Sequence, residues 1–142
     1  MRSRIYFFSE DIKFSPQVVR KTKAWLKHVV EAENRSLEEL VYIFCSDAYP
    51  LRINTEYLGH DTLTDVVTFD TTENQAVVGG EVYISIERVQ ENSMKYHVAF
   101  EEELHRVMIH GLLHLLGYTD KSAREKKIMR KKEFAYLSLK DF

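Results

Sequence analysis

The stretch His105-Arg106-Val107-Met108-Ile109-His110-Gly111-Leu112-Leu113-His114-Leu115-Leu116-Gly117-Tyr118-Thr119-Asp120 constrains this chain more than any other part of it. Val107, Met108, Leu112, Leu113, Leu115 and Leu116 surround most of a helix axis, so a helix here must be buried against other elements. His110 and His114 stand one turn apart and share a face of that helix. Two imidazoles at this spacing can chelate one ion without distorting the backbone. Gly117 permits the positive φ that ends a helix and folds the chain back, which lets Asp120 swing under the same ion. Three protein ligands leave a fourth position open for water, the arrangement of a catalytic zinc rather than a structural one. A His pair at helical spacing also arises by accident, with each ring a hydrogen-bonded core residue. The full spacing His-x3-His-x2-Gly-x2-Asp shifts the balance to a metal, because neutral imidazoles among leucines need a partner.

The remaining elements follow from periodicity and punctuation. Ile5 to Phe8 is a β-prone run, and Ser15-Pro16 reads as a helix start, with Ser as N-cap and Pro in the first turn. Val18 to about Glu33 is an amphipathic helix broken by Asn34-Arg35-Ser36. Leu40 to Cys45 is a strand, Asp47-Ala48-Tyr49-Pro50 a turn, and Leu51 to Leu58 a short helix. Val66 to Phe69 and Val82 to Ser85 are β-branched and aromatic strands, with Gly79-Gly80 as the turn between them. Helices are expected over Ile86–Tyr96, Phe100–Leu116 and Ala123 to about Leu139. This order favours an α+β fold over a doubly wound one: a roughly four-stranded mixed sheet packed with helices, in one domain over residues 1–142. The metal site would lie on a helix of the C-terminal half and the turn after it.

Composition excludes several function classes. With 44% apolar and 30% charged residues and only five Gly and two Pro, the chain is neither disordered nor collagen-like. Cys45 is the only cysteine, which rules out an internal disulfide framework and a multi-cysteine zinc site; an inert, buried thiol is expected. The apolar run near the N-terminus is too short for a signal peptide, and no stretch is long enough to span a membrane. A cytoplasmic location is expected. The net charge of −2 promises no partner by itself, but Lys121 to Glu133 is strongly basic and directly follows Asp120. Such a run is most often a solvated helix face, here with Ile128, Met129, Phe134 and Leu137 on its core side. Beside a metal it could also attract phosphates. Glu101-Glu102-Glu103 supplies favourable charge to the first turn of the metal helix. His28, His60, His97 and His105 have no comparable spacing.

The metal helix is similar to that of metzincin proteases, H-E-x-x-H-x-x-G-x-x-H, with two departures. Gly111 stands where those enzymes place their general base, and Asp120 where they place a third His. Peptidase activity is not expected. A closer resemblance is to the YbeY family of bacterial rRNA maturation endoribonucleases. His110 to Tyr118 resembles that family's H-G-x-L-H-L-x-G-Y-D-H, in which Gly follows the first His. Asn54-Thr55-Glu56-Tyr57, Asp61 and Thr64-Asp65-Val66-Val67-Thr68-Phe69 resemble its N-x-x-Y-R-x-x-D-x-P-T-D-V-L-S-F, and Gly80 to Ile84 its G-D-I-x-I strand.

The resemblance implies a single Zn2+ on an α+β fold, with RNA and ribosomal particles as partners and no membrane. It further implies a single-strand-type endoribonuclease in 16S rRNA maturation and ribosome quality control, hydrolysing phosphodiesters with a metal-activated water. His110 and His114 match the first two ligands. Asp120 falls at the third and is kept as a ligand, which lowers the site's charge by one unit and favours harder metals. Leu58 stands where the family has an Arg serving the substrate phosphate; Arg52, His60 and Arg124 are the candidates to bind substrate instead. Asp65 is the candidate catalytic carboxylate, with capping of a strand entrance as the equal alternative. Two other functions stay open: a non-catalytic, metal-stabilised ribosome-assembly or RNA-binding factor, and a metalloprotease-like hydrolase.

Overall fold

The β-branched and aromatic runs pair as the sequence leads one to expect, and the helices pack over them. The computed structural model describes residues 4–48, 66–72 and 76–142. Four strands, β1 (Ile5–Ser9), β2 (Ser36–Cys45), β3 (Val66–Asp70) and β4 (Val77–Ser85), form one mixed sheet in the order β1-β2-β4-β3. β1, β2 and β4 run parallel, and β3 pairs antiparallel with β4. The described helices are α1 (Val19–Ala32), α2 (Ile86–Lys95), α3 (Phe100–Leu115) and α4 (Ala123–Leu137). The α+β expectation, with a His/His/Asp group in the C-terminal half, is met.

The register aligns one set of side chains beneath the helices. Leu40 lies beside Ile5, Tyr42 beside Val82, and Phe44 and Val66 flank Ile84. Leu26, Val29 and Val30 of α1 and Leu104, Met108, Ile109, Leu112 and Leu113 of α3 complete this core with no side chain accessible to water. The apolar stripe around α3 is thus covered by the sheet and by its neighbours α2 and α4. The Tyr42 hydroxyl, fully buried, donates to the Met108 carbonyl at 2.9 Å and ties α3 to the centre of the sheet. One turn on, helix and sheet approach each other closely at Gly111. A Cβ at Gly111 would stand 2.6 Å from Val82 Cγ1 and 3.3 Å from Val66 Cγ2.

Several boundaries differ from expectation, each for a physical reason. Gly79-Gly80 is not a turn but lies inside β4. Gly80 is small because a Cβ there would meet the Phe69 carbonyl oxygen at 2.4 Å and Leu115 at 2.9 Å. β2 begins at Ser36, since its backbone pairs with β4 despite the exposed, strand-poor Glu38 and Glu39. Helix α1 starts at Val19 rather than at Ser15-Pro16, and its N-cap Val18 offers no side-chain bond. The preceding segment is held out of the helix by Phe14, whose ring packs on Phe44 and Phe100. On α4 the buried stripe is Met129, Glu133 and Tyr136, with Leu137 partly buried beside it; Met129 and Leu137 lie on the core side as expected, but Ile128 and Phe134 face water. Both lie about a quarter turn or more off that stripe. The expected turn at Tyr49-Pro50 and helix at Leu51–Leu58 lie outside the described residues. Cys45 is buried, and burial first, then the carboxylates of Asp11, Glu10 and Asp47, push its thiol up to about 12.

His105 has a structural role that spacing did not suggest. It is buried between Trp25 and Phe142, and its Nδ1 accepts from Lys140 Nζ at 2.8 Å. Burial, with help from the Lys140 charge, pulls it down from 6.5 to about 4, so it folds as the neutral ring. A base whose folded pKa is depressed stabilises the fold fully above 6.5 and loses that contribution as pH falls from 6.5 towards 4. Denaturant melts across this range should show wild-type stability falling more steeply than that of His105→Gln. The difference in slope should approach one proton, about 1.4 kcal/mol per pH unit; parallel curves would refute it. At the helix–sheet contact, Gly111→Ala should lower stability by about 1–3 kcal/mol despite alanine's helix preference, because the stiff Val82 side chain must move.

Candidate metal centre

With Gly111 pressed against the sheet, the helical repeat sets His110 and His114 roughly 100° and 60° to one side of the contact. They emerge at the rim of the core, with side chains 17% and 25% exposed, rather than inside it. The helix ends as the sequence implies. Gly117 has φ 105°, its N–H donates to the His114 carbonyl at 3.0 Å, and the Tyr118 N–H donates to the Leu113 carbonyl at 3.0 Å. This reversal brings Asp120 back under α3. Its Oδ2 lies 3.4 Å from His110 Nε2 and 3.7 Å from His114 Nε2, and the two Nε2 atoms are 3.0 Å apart. One potential ligand atom from each of the three residues therefore falls within 4.8 Å of the others.

The hydrogen bonds behind the rings fix which nitrogen is free. His110 Nδ1 donates to Glu133 Oε2 at 2.6 Å, and His114 Nδ1 donates to the Tyr118 carbonyl at 3.1 Å. A carbonyl can only accept, and so does a carboxylate that also receives the guanidinium of Arg106 at 3.3 Å. Both Nδ1 atoms thus carry the proton, and in the neutral rings both Nε2 atoms present lone pairs to each other and to Asp120. Three acceptors facing one point at contact distance repel unless a cation lies among them. Ligands bonded to one ion at about 2.0–2.2 Å must lie within about 4 Å of each other, as these do. The donor set of two imidazoles and a carboxylate fits a divalent metal. Burial and the neighbouring His110 lower the pKa of His114, which keeps its ring in the ligating form.

A set of residues that spacing did not identify holds this geometry. Glu133, 5% exposed, reaches His110 from the next helix, and Arg106 bridges it to the buried Glu103 through bonds of 2.9 and 2.7 Å. Glu103 is therefore a structural partner as well as part of the acidic first turn. On the other side, Glu33 at the end of α1 accepts from the hydroxyls of Tyr118 and Tyr136 and from Lys132 Nζ. Burial alone would raise Glu33, but these hydrogen bonds outweigh it and hold its carboxyl below the usual range. The clasp anchors Tyr118, whose carbonyl orients His114. The available signal was a carboxylate at the core position of a helix: Glu133 falls in register with Met129 and Tyr136.

Beside His110 and Asp120 the chain forms a cavity of about 240 Å3, lined by these two with Arg106, Lys126, Arg130 and Glu133 over Met129. Of the candidates for substrate contact, Arg124 is exposed on α4 but does not line this cavity; Lys126 and Arg130 do. Arg52, His60 and Asp65 lie outside the described residues, as does Leu58. His97 closes α2 with φ 58°, and His28 lines a separate surface cavity near the C-terminal residues. Neither approaches the His110/His114 pair.

Because Glu133 fixes the His110 tautomer, Glu133→Gln should weaken metal binding by about 10- to 100-fold. Competition with a chromogenic chelator measures this; affinity equal to wild type would remove Glu133 from the site.

Comparison with known proteins agrees with the site. Residues 4–140 match the family model described as Endoribonuclease YbeY. An Endoribonuclease YbeY from Cytophaga hutchinsonii is 46% identical over 138 residues, covering 97% of this chain and 96% of that protein. One from Amoebophilus asiaticus is 48% identical over 136 residues, covering 96% and 92%. The solution structure of TM1509 from Thermotoga maritima is 30% identical, covers 94% of this chain and 87% of that one, and superposes with a TM-score of 0.68. The curated relatives are named endoribonucleases, hydrolytic nucleases, and at this similarity and coverage the chain belongs to the endoribonuclease YbeY family.

Proposed function

We propose that this chain is a single-domain, zinc-dependent endoribonuclease acting on single-stranded segments of ribosomal RNA in the cytoplasm, in 16S rRNA maturation and ribosome quality control. The observation that carries the reading is the convergence of His110 Nε2, His114 Nε2 and Asp120 Oδ2 on one point at the edge of an open cavity. Zinc is favoured among divalent metals by a donor set of two imidazoles and one carboxylate with an open side. When bound, such an ion acidifies water towards neutral pH and polarises a phosphoryl oxygen.

The chain's own residues do the rest. Glu133 and the Tyr118 carbonyl hold the two imidazoles in the ligating tautomer. Arg106 balances Glu133, and Lys126 and Arg130 bring positive charge to the cavity wall. Both Glu133 oxygens are engaged, one by His110 and one by Arg106, which commits this carboxylate to positioning His110. Asp65 is kept as the proposed catalytic carboxylate, with Arg52, His60 and Arg124 as further substrate contacts. The engagement of Glu133 is also what favours the second reading, a metal-stabilised ribosome-assembly factor that binds RNA without turnover. A metalloprotease-like activity is disfavoured, since Gly111 against Val82 leaves no room for a glutamate base.

Purified, metal-loaded protein should cleave single-stranded rRNA fragments. Activity should fall at least about a thousandfold with a chelator and in His114→Ala, because Lewis-acid stabilisation contributes several kcal/mol. Cleavage indifferent to both treatments would overturn the metal mechanism. Tight RNA binding without cleavage by the loaded protein would instead establish the assembly factor.

A further inference from the structure

The basic segment of α4 is not one uniform face. Lys132 is committed to Glu33 and lies over the rings of Tyr118 and Tyr136. Arg124, Lys127 and Lys131 are exposed and do not line the cavity. Lys126 and Arg130 line the metal cavity, are exposed, and make no side-chain hydrogen bond or ion pair among the described residues. Four residues further along the same ridge comes Phe134, which is 73% exposed, more than any other large apolar side chain among the described residues. Lys126, Arg130 and Phe134 stand at successive i, i+4 positions, one row of the helix surface with a rise of about 6 Å per step. A solvated face has no need of a bare phenylalanine in register with two uncommitted cations. A chain of alternating phosphates and bases does.

We propose that this row is a track for single-stranded RNA leaving the metal centre. Lys126 and Arg130 take the phosphates next to the scissile one, and Phe134 stacks a base of the following nucleotide. Every base has a π-face, so stacking on Phe134 gives affinity without sequence preference, and the cations give salt-dependent affinity for the backbone. A single strand fits this role and a duplex does not, because paired bases are already stacked and cannot lie on the ring. The inference rests on the endoribonuclease reading for the direction of the strand, but its residues lie outside the ligand set.

The test is the affinity of metal-loaded protein for a fluorescently labelled single-stranded RNA, read by anisotropy across a salt series, with cleavage of the same RNA recorded alongside. Lys126→Ala with Arg130→Ala should make the slope of log K against log salt shallower by about 1.4, two phosphate contacts on a single strand. Phe134→Ala should weaken binding roughly tenfold with the slope unchanged, and Phe134→Trp should restore it. All three side chains are exposed, so metal content and thermal melting should match wild type and separate a local effect from misfolding. The comparison pair Arg20→Ala with Lys21→Ala, exposed on α1 and outside the lining of the metal cavity, should change the slope little. Equal losses from both pairs would reduce the track to general positive charge. Wild-type affinity in the Phe134 and Lys126/Arg130 variants would overturn it while leaving the nuclease reading intact, and equal binding of a duplex would overturn its single-strand selectivity. Track-dependent binding with no cleavage in any protein would uphold the track and end the nuclease reading.

Discussion

The contact between Gly111 and Val82 governs the geometry of this molecule. A helix as apolar as α3 could be rotated about its own axis by tens of degrees and still bury hydrophobic area, so hydrophobicity does not fix its phase. Steric contact does. Only the face without a side chain can approach β4 this closely, and the Tyr42 hydroxyl on the Met108 carbonyl locks the adjacent turn to the same sheet. Once that phase is set, His110 and His114 have nowhere to point except the seam between α3 and α4. The glycine that stands in place of a protease's base is therefore the residue that aims His110 and His114.

Phase alone would leave two rings free to flip. The second constraint is a pair of hydrogen-bond acceptors, one from each side of the seam. Glu133 comes from α4, held by Arg106, which is itself gripped by Glu103 one turn earlier on α3. Tyr118 comes from the reversal after Gly117, held by Glu33 at the end of α1. Three helices thus converge on the two Nδ1 atoms, and the core of the fold and the preorganisation of the site are the same set of contacts. Any loosening of α1 or α4 against α3 would reach the ligands through one hydrogen bond each.

The parts legible in the sequence were those written in local patterns. The period of α3, the His-x3-His spacing, the stop at Gly117 and the reach of Asp120 all depend on residues close together in the chain. What stayed hidden depends on distant pairings. Gly79-Gly80 looked like a turn because two glycines usually make one; only the approach of Leu115 and of the Phe69 carbonyl explains them within a strand. Ile128 and Phe134 were placed in the core because they are apolar, whereas the true stripe of α4 includes Glu133, a charge that is buried because Arg106 and His110 await it. Local chemistry prefers to bury phenylalanine and expose glutamate, and here both preferences are reversed by partners on other elements.

Those reversals make sense as charge balance. Glu103 and Glu133 share the single guanidinium of Arg106, and Asp120 adds a further carboxylate facing the histidines. The cluster as built therefore carries two negative charges in excess, which one divalent cation neutralises. A third histidine in place of Asp120 would leave the loaded cluster positive; with Asp120 the loaded cluster is neutral, and a phosphate gains no net attraction from it at a distance. The positive field must then come from the cavity wall, which Lys126 and Arg130 line without an ion-pair partner among the described residues. Asp120 and the basic ridge of α4 are thus complementary in the proposed enzyme: with a divalent ion held there, the first would balance the partly buried cluster, and the second would supply the charge that an anionic strand requires. A nearly neutral chain can in this way carry a strongly polarised site, because its charges are sorted by flank rather than by sum.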